Sequence, residues 1–238
     1  METENPQSSA GFCLWTPVFF ALMIRFISFE GGEGSGKTTQ LRLLEAHLAT
    51  QGEVSLCTRE PGGTTLGRMI RQLLLEVGRG EISPQTELFL YLADRAQHVH
   101  EVIYPAIEQG RLVLCDRFTD STLAYQGYGR GIDLGMLRRL NQVASRGITP
   151  DLTLLLDLPA AVGLSRARDR LSRGGAMGCQ PEDRFEQEKL EFHDRVRRGF
   201  LELAQAEPKR IVVLDGLLPA SEIHEQIKKI VVQKLKGN

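Results

Sequence analysis

Gly31-Gly32-Glu33-Gly34-Ser35-Gly36-Lys37-Thr38 carries a glycine, four residues, then glycine, lysine and a hydroxyl residue, which is the spacing of a phosphate-binding loop. The apolar run Ile24-Arg25-Phe26-Ile27-Ser28-Phe29 before it reads as a buried strand. Thr39-Gln40-Leu41-Arg42-Leu43-Leu44 after it reads as a helix. Strand, glycine loop and helix stand in the order that anion capture needs. Glycines let successive backbone N–H groups turn toward one point, and the helix N-terminus adds partial positive charge there. Gly31, Gly32, Glu33, Gly34, Ser35, Gly36, Lys37, Thr38 and Thr39 are therefore the candidate nucleotide cradle. Lys37 is placed to reach the β- and γ-phosphates of a nucleotide. Thr38 offers its hydroxyl to Mg²⁺, which keeps most of its waters and takes few protein ligands.

The chain of 238 residues, 42% hydrophobic and 25% charged, has the material for one α/β domain with a large core. A net charge of −1 supplies no global basic field, which disfavours a nucleic-acid polymer as partner and leaves phosphate binding to local arginines. Cys13, Cys57, Cys115 and Cys179 lie far apart without a C-x-x-C, which argues against a zinc site or disulfide framework and for the cytoplasm. The apolar stretch from Gly11 to Phe29 is preceded by Glu2 and Glu4 with no Lys or Arg, so it lacks the basic start of a signal peptide. Its last third is the strand that enters the glycine loop, so no membrane partner is expected. Residues 1–22 read as a dispensable extension and Met23 as the functional start of a domain covering 23–238.

Downstream the pattern alternates. Glu53 to Thr58 reads as a second strand, ending in the turn-rich Arg59-Glu60-Pro61-Gly62-Gly63-Thr64. Thr64 or Thr65 caps a helix through about Val77, and Ser83-Pro84 starts a longer one to about Gly110, with proline in the first turn. Arg111 to Asp116 is a third strand, Asp133 opens a helix, and Asp151 to Asp157 is a fourth strand. Ala160 to Arg173 reads as helical, Gly174 to Pro181 as mobile and Glu182 to Ala206 as helical again. Arg210 to Leu214 is a fifth strand, followed by a helix from about Pro219 to Lys234. This alternation predicts a three-layer phosphate-loop fold: a five-stranded parallel sheet with helices on both faces and ligands outside the carboxyl ends of the strands.

The chemistry falls at those ends. Asp116 closes an apolar strand at the mouth of the glycine loop, where a carboxylate can hold waters of a magnesium shell, and Arg117 follows it. An ion pair capping the strand is the plainer alternative. Leu88, Tyr91, Arg95, Val99 and Val102 share one helix face, so Arg95 interrupts an apolar stripe. Either Arg95 snorkels from the stripe's edge, or Tyr91 stacks on a flat base whose edge Arg95 reads. Arg166, Arg168, Arg170 and Arg173 form the densest basic cluster; the first, third and fourth share a face. They make a solvated helix or a closing lid, about residues 160–184, that brings cations to a transferred phosphoryl group. His47, His98, His100, His193 and His224 have plain surface or helix-face readings, and none fits a general base.

Four motifs are similar, in order, to those of bacterial thymidylate kinases. They are Phe29 to Thr39, Thr58 to Thr64, Asp116-Arg117-Phe118 with Ser121-Thr122 and Ala124-Tyr125-Gln126-Gly127, and Arg166-Ala167-Arg168-Asp169-Arg170. The resemblance runs from about Ile24 to the C-terminus. It implies phosphoryl transfer from ATP to dTMP, dependent on Mg²⁺, in a homodimer. It places Glu33 at the 3′-hydroxyl side of the acceptor, Arg117 on the acceptor phosphate, and Tyr91 on thymine with Arg95 and Thr122 at its polar edge. Tyr125 crowds the 2′ position, and Arg59, Pro61, Arg71 and Gln126 complete the acceptor pocket. Ser35 stands where part of the family carries a basic residue, so Arg166 and Arg170 join Lys37 and Arg117 as catalytic candidates. The stretch from Leu171 to Glu182 is longer than the shorter bacterial lid pattern. A phosphate-monoester acceptor is already a nucleophile, so no catalytic base is required. A kinase for another nucleoside monophosphate and a non-catalytic nucleotide-binding regulator are the rival readings; a GTP switch is disfavoured because no N-K-x-D string occurs.

Overall fold

Short apolar runs separated by helical patterns bury their strands on both faces, and the computed structural model, described for residues 24–75, 82–172 and 184–235, has that form. Strands β1 (Phe26–Glu30), β2 (Ser55–Arg59), β3 (Leu112–Asp116), β4 (Leu152–Asp157) and β5 (Ile211–Asp215) pair in the order β2-β3-β1-β4-β5. Every neighbouring pair is parallel, as expected. The register sets Phe29 beside Asp116, which brings the glycine loop after β1 next to the end of β3. Because the chain leaves β1 with β3 on one side and β4 on the other, the crevice at their carboxyl ends is the topological switch point.

The helices are α1 (Lys37–Thr50), α2 (Thr65–Leu75), α3 (Pro84–His98), α4 (Tyr104–Glu108), α5 (Thr119–Thr122), α6 (Leu134–Ala144), α7 (Ala160–Ser172), α8 (Leu190–Ala206) and α9 (Ala220–Leu235). Alternation along β1 sorts the core into layers. Ile27 and Phe29 pack with Leu41, Leu44 and Leu48 of α1 and Ile223, Ile227 and Val231 of α9. Phe26 faces the other side with Val113, Val99 and Ile103. A third cluster joins Leu88, Leu137, Phe192, Val196 and Phe200, tying α3, α6 and α8 together over Leu155 of β4. Local chemistry sets two starts: Ser83 accepts from the Thr86 N–H ahead of α3, with Pro84 in its first turn, and Asp133 accepts from the Met136 N–H ahead of α6.

Two expectations are corrected, and one unassigned stretch gains structure. The helix expected from Ser83 to Gly110 widens into a π-helical turn at Val99–Ile103 just before Pro105, whose missing N–H and ring disrupt a regular ladder. The helix expected from Glu182 begins at Leu190, because Arg184 is committed elsewhere. Its N–H bonds the Leu75 carbonyl, and its side chain reaches the Leu74 carbonyl and Glu87. Between β3 and α6, a stretch with no assigned element at the sequence level is helical: α5 runs into a π-helical turn at Leu123–Gly129. The extension 1–22, the start at Met23, the stretch 174–181 and Arg173 lie outside the described residues.

Leu114 is fully buried in the second strand of the sheet. Leu114→Ala is expected to cost about 2–5 kcal/mol of stability, the sum of lost transfer energy and a residual cavity. Urea unfolding measures it as a lower midpoint at an unchanged slope.

Candidate active site

The glycine loop turns from β1 into α1 through left-handed backbone at Gly34 (φ 63°) and Gly36 (φ 92°), conformations that L side chains resist. A Cβ at Gly34 would strike the Gly163 carbonyl, and one at Gly163 would strike the Glu33 carbonyl, so α7 lies directly against the loop. Gly163 was not singled out from the sequence; a glycine inside a helical pattern was the available signal. Lys37 folds back over the loop, donating to the Gly31 carbonyl at 3.1 Å, the Gly32 carbonyl at 2.7 Å and Ser35 Oγ at 3.2 Å. Burial and then Arg117 pull its pKa down to about 8, against the opposing pull of Asp116, Glu33 and Glu30. Thr38 donates its hydroxyl to Asp116 Oδ2 at 2.5 Å. Thr39 is exposed on the outer side of α1.

Arg117 joins the loop to the opposite wall. Its backbone is left-handed (φ 71°), an unfavourable state for a side chain of its size, and it is fixed there by its N–H to the Phe29 carbonyl at 3.0 Å. The guanidinium donates to the Gly31 carbonyl at 2.9 Å, Ser121 Oγ at 3.2 Å and Glu33 Oε1 at 3.2 Å, and lies 4.9 Å from the centre of the Tyr125 ring. Beneath it the buried Glu30 accepts from the Phe118 N–H at 2.7 Å and from Ser121 Oγ at 2.6 Å, which locks the turn carrying Arg117. Burial and the neighbouring Asp120 raise the Glu30 carboxyl to about 7 despite those donors and Arg117. Glu33 behaves oppositely. Burial would raise it, but His193, Arg117, Lys37 and the Tyr125 hydroxyl at 2.6 Å hold it at about 2.

The far wall is a buried ionic layer. Arg95, 2% exposed, donates through Nε to Glu60 Oε2 at 2.8 Å and through Nη1 to Thr122 Oγ1 at 2.9 Å and Asn141 Oδ1 at 2.6 Å. It is anchored rather than snorkelling. His98 lies 2.9 Å from Glu60 Oε1 and shares a 2.6 Å hydrogen bond with Thr58. Asp94 accepts from the Gly62 N–H at 3.0 Å, and burial with the nearby Glu60 raises its carboxyl to about 6. The Glu60–Pro61 peptide is cis, and Arg71 donates to the Pro61 carbonyl at 3.1 Å. Gln126 donates to Glu87 at 2.9 Å, which also takes Arg130 and Arg184. Tyr91 sits 6.4 Å from the Phe185 ring.

Between these walls lies a cleft of about 200 Å³. Its lining includes Glu33, Lys37, Thr38, Asp116 and Arg117, and with them Arg59, Pro61, Arg71, Tyr91, Arg95, Thr122, Tyr125 and Gln126. Arg170 also reaches it, exposed and 3.3 Å from Glu186. Arg166 does not; it donates to the Gly216 carbonyl at 2.8 Å, on the side of the loop that faces Gly34. Two histidines depart from their plain reading. His98 and His193 are buried, with a ring nitrogen 2.9 Å from Glu60 Oε1 and 3.3 Å from Glu33 Oε2 respectively. Glu30 and Glu60 stand inside the quoted motifs without an assigned role, and Asp94 and Glu87 carry none, since an acid announces burial only when its partner, distant in sequence, is known. His193 had a usable signal: it falls in step with Val196, Phe200 and Leu203 on the inward face of α8.

The sequence profile of the thymidylate kinase family matches residues 29–227. The thymidylate kinase of Desulfovibrio desulfuricans is 52% identical over 211 residues, covering 89% of this chain and 96% of that protein. That of Desulfosudis oleivorans is 53% identical over 200 residues, covering 83% and 92%. The crystal structure of the thymidylate kinase from Ehrlichia chaffeensis superposes with a TM-score of 0.69 at 33% identity, covering 87% of this chain and 97% of that one. A phosphate loop facing a cleft walled by Arg117, Tyr125 and Arg95, carried on a sequence matched along this length, leaves one conclusion: the chain belongs to the thymidylate kinase family.

Proposed function

We infer that this protein transfers the γ-phosphoryl group of ATP to dTMP, giving dTDP and ADP, and that it does so in the cytoplasm. The observation that carries this reading is the position of Arg117, whose guanidinium touches the glycine loop at Gly31 and Glu33 and the opposite wall at Ser121 and Tyr125. A cation there faces both the triphosphate and the incoming monophosphate. The barrier to this reaction is largely electrostatic, because one anion must approach another, so neutralisation and in-line positioning are what the site must supply.

Lys37 would exchange its loop carbonyls for the β- and γ-phosphates. Thr38 and Asp116 present a hydroxyl and a carboxylate oxygen side by side, a hard-oxygen pair suited to Mg²⁺ and its waters. Thr38 and Asp116 are the candidate holders because both line the cleft beside the glycine loop. When bound, the ion neutralises developing charge on the transferred phosphate. Arg170, exposed at the cleft and weakly paired, is the lid arginine placed to reach that phosphate, while Arg166 lies toward the donor side. Glu33 and Tyr125 would meet the deoxyribose, Tyr125 crowding a 2′-hydroxyl. Tyr91 would cover the base, with Thr122 at its edge beside Arg95. Closure of the cleft would keep water from the phosphoryl group.

A homodimer is part of the same reading. Leu66, Met69 and Leu73 on α2, Phe89 on α3, and Met136 and Val143 on α6 are exposed, and these helices are neighbours in the order α2-α3-α6. Exposed apolar side chains on neighbouring helices are what a dimer interface would cover. Phe89→Glu is expected to move the protein from dimer to monomer in sedimentation velocity; a wild-type monomer would remove the proposal.

ADP formation with thymidine, deoxyuridine, uridine, cytidine and adenosine monophosphates tests the activity. Turnover is expected to be highest with dTMP and to depend on the acceptor. ADP release that ignores the acceptor would favour a regulator, and preference for another base would favour the rival kinase. The lowered pKa of Lys37 gives a separate expectation. A proton must be taken up when triphosphate binds above about pH 8, so ATP affinity should fall roughly tenfold between pH 7 and pH 9. Calorimetric titration in buffers of different ionisation enthalpy reads that uptake, and Lys37→Met should abolish it.

A further inference from the structure

His193 has no part in the phosphoryl-transfer geometry above, yet it is 4% exposed and lies between two acceptors. Its Nδ1 is 3.3 Å from Glu33 Oε2, and its Nε2 is 2.9 Å from the Phe185 carbonyl oxygen. Carboxylate and carbonyl oxygens only accept. Neutral imidazole has one N–H and one lone pair, so either tautomer would set a lone pair against one of those oxygens. Imidazolium alone presents a proton to both. Glu33 Oε1 is already held by Tyr125 and Arg117, whereas Oε2 is buried without a well-angled hydrogen bond, and His193 is its ion-pair neighbour.

We propose that His193 is a positioning residue: as an imidazolium it ties Glu33 of the glycine loop to α8 and to Phe185, fixing the carboxylate that meets the acceptor nucleotide, and deprotonation releases that hold. The charges around it are consistent. Burial works against its cation, but Glu33, the Phe185 carbonyl and Glu188 raise its pKa above the ordinary value. On its own helix, Asp194 is adjacent and Arg197 is occupied by Asp157. Beyond Glu33 stand Arg117, Lys37 and the Tyr125 phenol. The sign follows: the pair is intact below the raised pKa of His193 and is lost as pH rises through it. Glu33, held at about 2, stays ionised across that range, so the histidine is the member that titrates.

The proposal rests on the reading of Glu33 as an acceptor-side residue, and the experiment separates the two. Acceptor kcat/KM of the full chain is measured from pH 5.5 to 9 for wild type, His193→Gln, His193→Ala and Glu33→Gln, alongside ¹⁵N spectra of the wild-type imidazole. Titration of dTMP and of Lys37 is common to wild type and His193→Gln, so their ratio isolates the histidine. At pH 6 wild type should exceed His193→Gln by about tenfold, through acceptor KM with ATP KM unchanged, and the ratio should fall toward one at high pH. His193→Gln, which keeps one donor, should recover part of the loss in His193→Ala. Both ring nitrogens should be protonated at pH 6, with a pKa that drops in Glu33→Gln. A neutral ring at pH 6, a ratio independent of pH, or an equal shift in ATP KM would overturn the proposal. If Glu33→Gln raises acceptor KM while the ratio stays flat, only the positioning role falls. If Glu33→Gln leaves acceptor KM unchanged, the reading of Glu33 falls and this proposal with it.

Discussion

Parallel pairing of β1 with β3 is the constraint on which the rest of the site depends. It sets Phe29 beside Asp116 and lets the Phe29 carbonyl take the Arg117 N–H, so the glycine loop and the arginine emerge from adjacent strand ends. A one-residue slip would send every side chain of the strand to the opposite face and would break the Arg117 N–H bond to the Phe29 carbonyl. Arg117 accepts a left-handed backbone because that pairing, and the Glu30 carboxyl beneath the turn, hold it there. Backbone strain at Arg117 thus falls on the residue that bridges the two walls, where it fixes the guanidinium before any substrate arrives.

Buried acids do the same service around the cleft. Glu30 secures the Arg117 turn, Glu60 secures Arg95 and His98, and Glu87 gathers Gln126, Arg130 and Arg184. Taking such charges out of water is costly, and apolar replacements of similar volume are often no less stable. What the ionic layer provides is direction: each carboxylate fixes two or three donors that come from distant parts of the chain. Glu33 differs in belonging to the glycine loop itself, where His193, Arg117 and Tyr125 hold it at the edge of the cleft.

The element order and the candidates at the strand ends were readable because period-two and helical patterns are local. Gly31 to Thr38, Asp116-Arg117 and Arg59 to Thr64 carry their meaning in consecutive residues. The π-helical turn at Leu123–Gly129 was not readable, since its geometry is set by packing against α8, which lies far along the chain. The late start of α8 has the same cause: Arg184 bonds the end of α2 and Glu87 of α3 instead of entering a helix. Tyr91 and Arg95 share a helix face by spacing alone, yet that Arg95 is consumed by Glu60, Thr122 and Asn141 required three further segments to be in place.

By itself the sequence determined the parallel α/β architecture, the phosphate loop and the membership in a family whose motifs it carries in order. Those features rest on backbone conformation and hydrophobic periodicity, which neighbouring residues fix. Only the tertiary structure decided that Arg170 rather than Arg166 reaches the cleft, that burial pulls the Lys37 pKa down to about 8, and that His193 stands against Glu33. These are matters of burial and of charge facing charge, and both depend on residues brought together from remote segments. His98 and His193 came to lie buried against Glu60 and Glu33 for that reason, while His47 stayed near the surface.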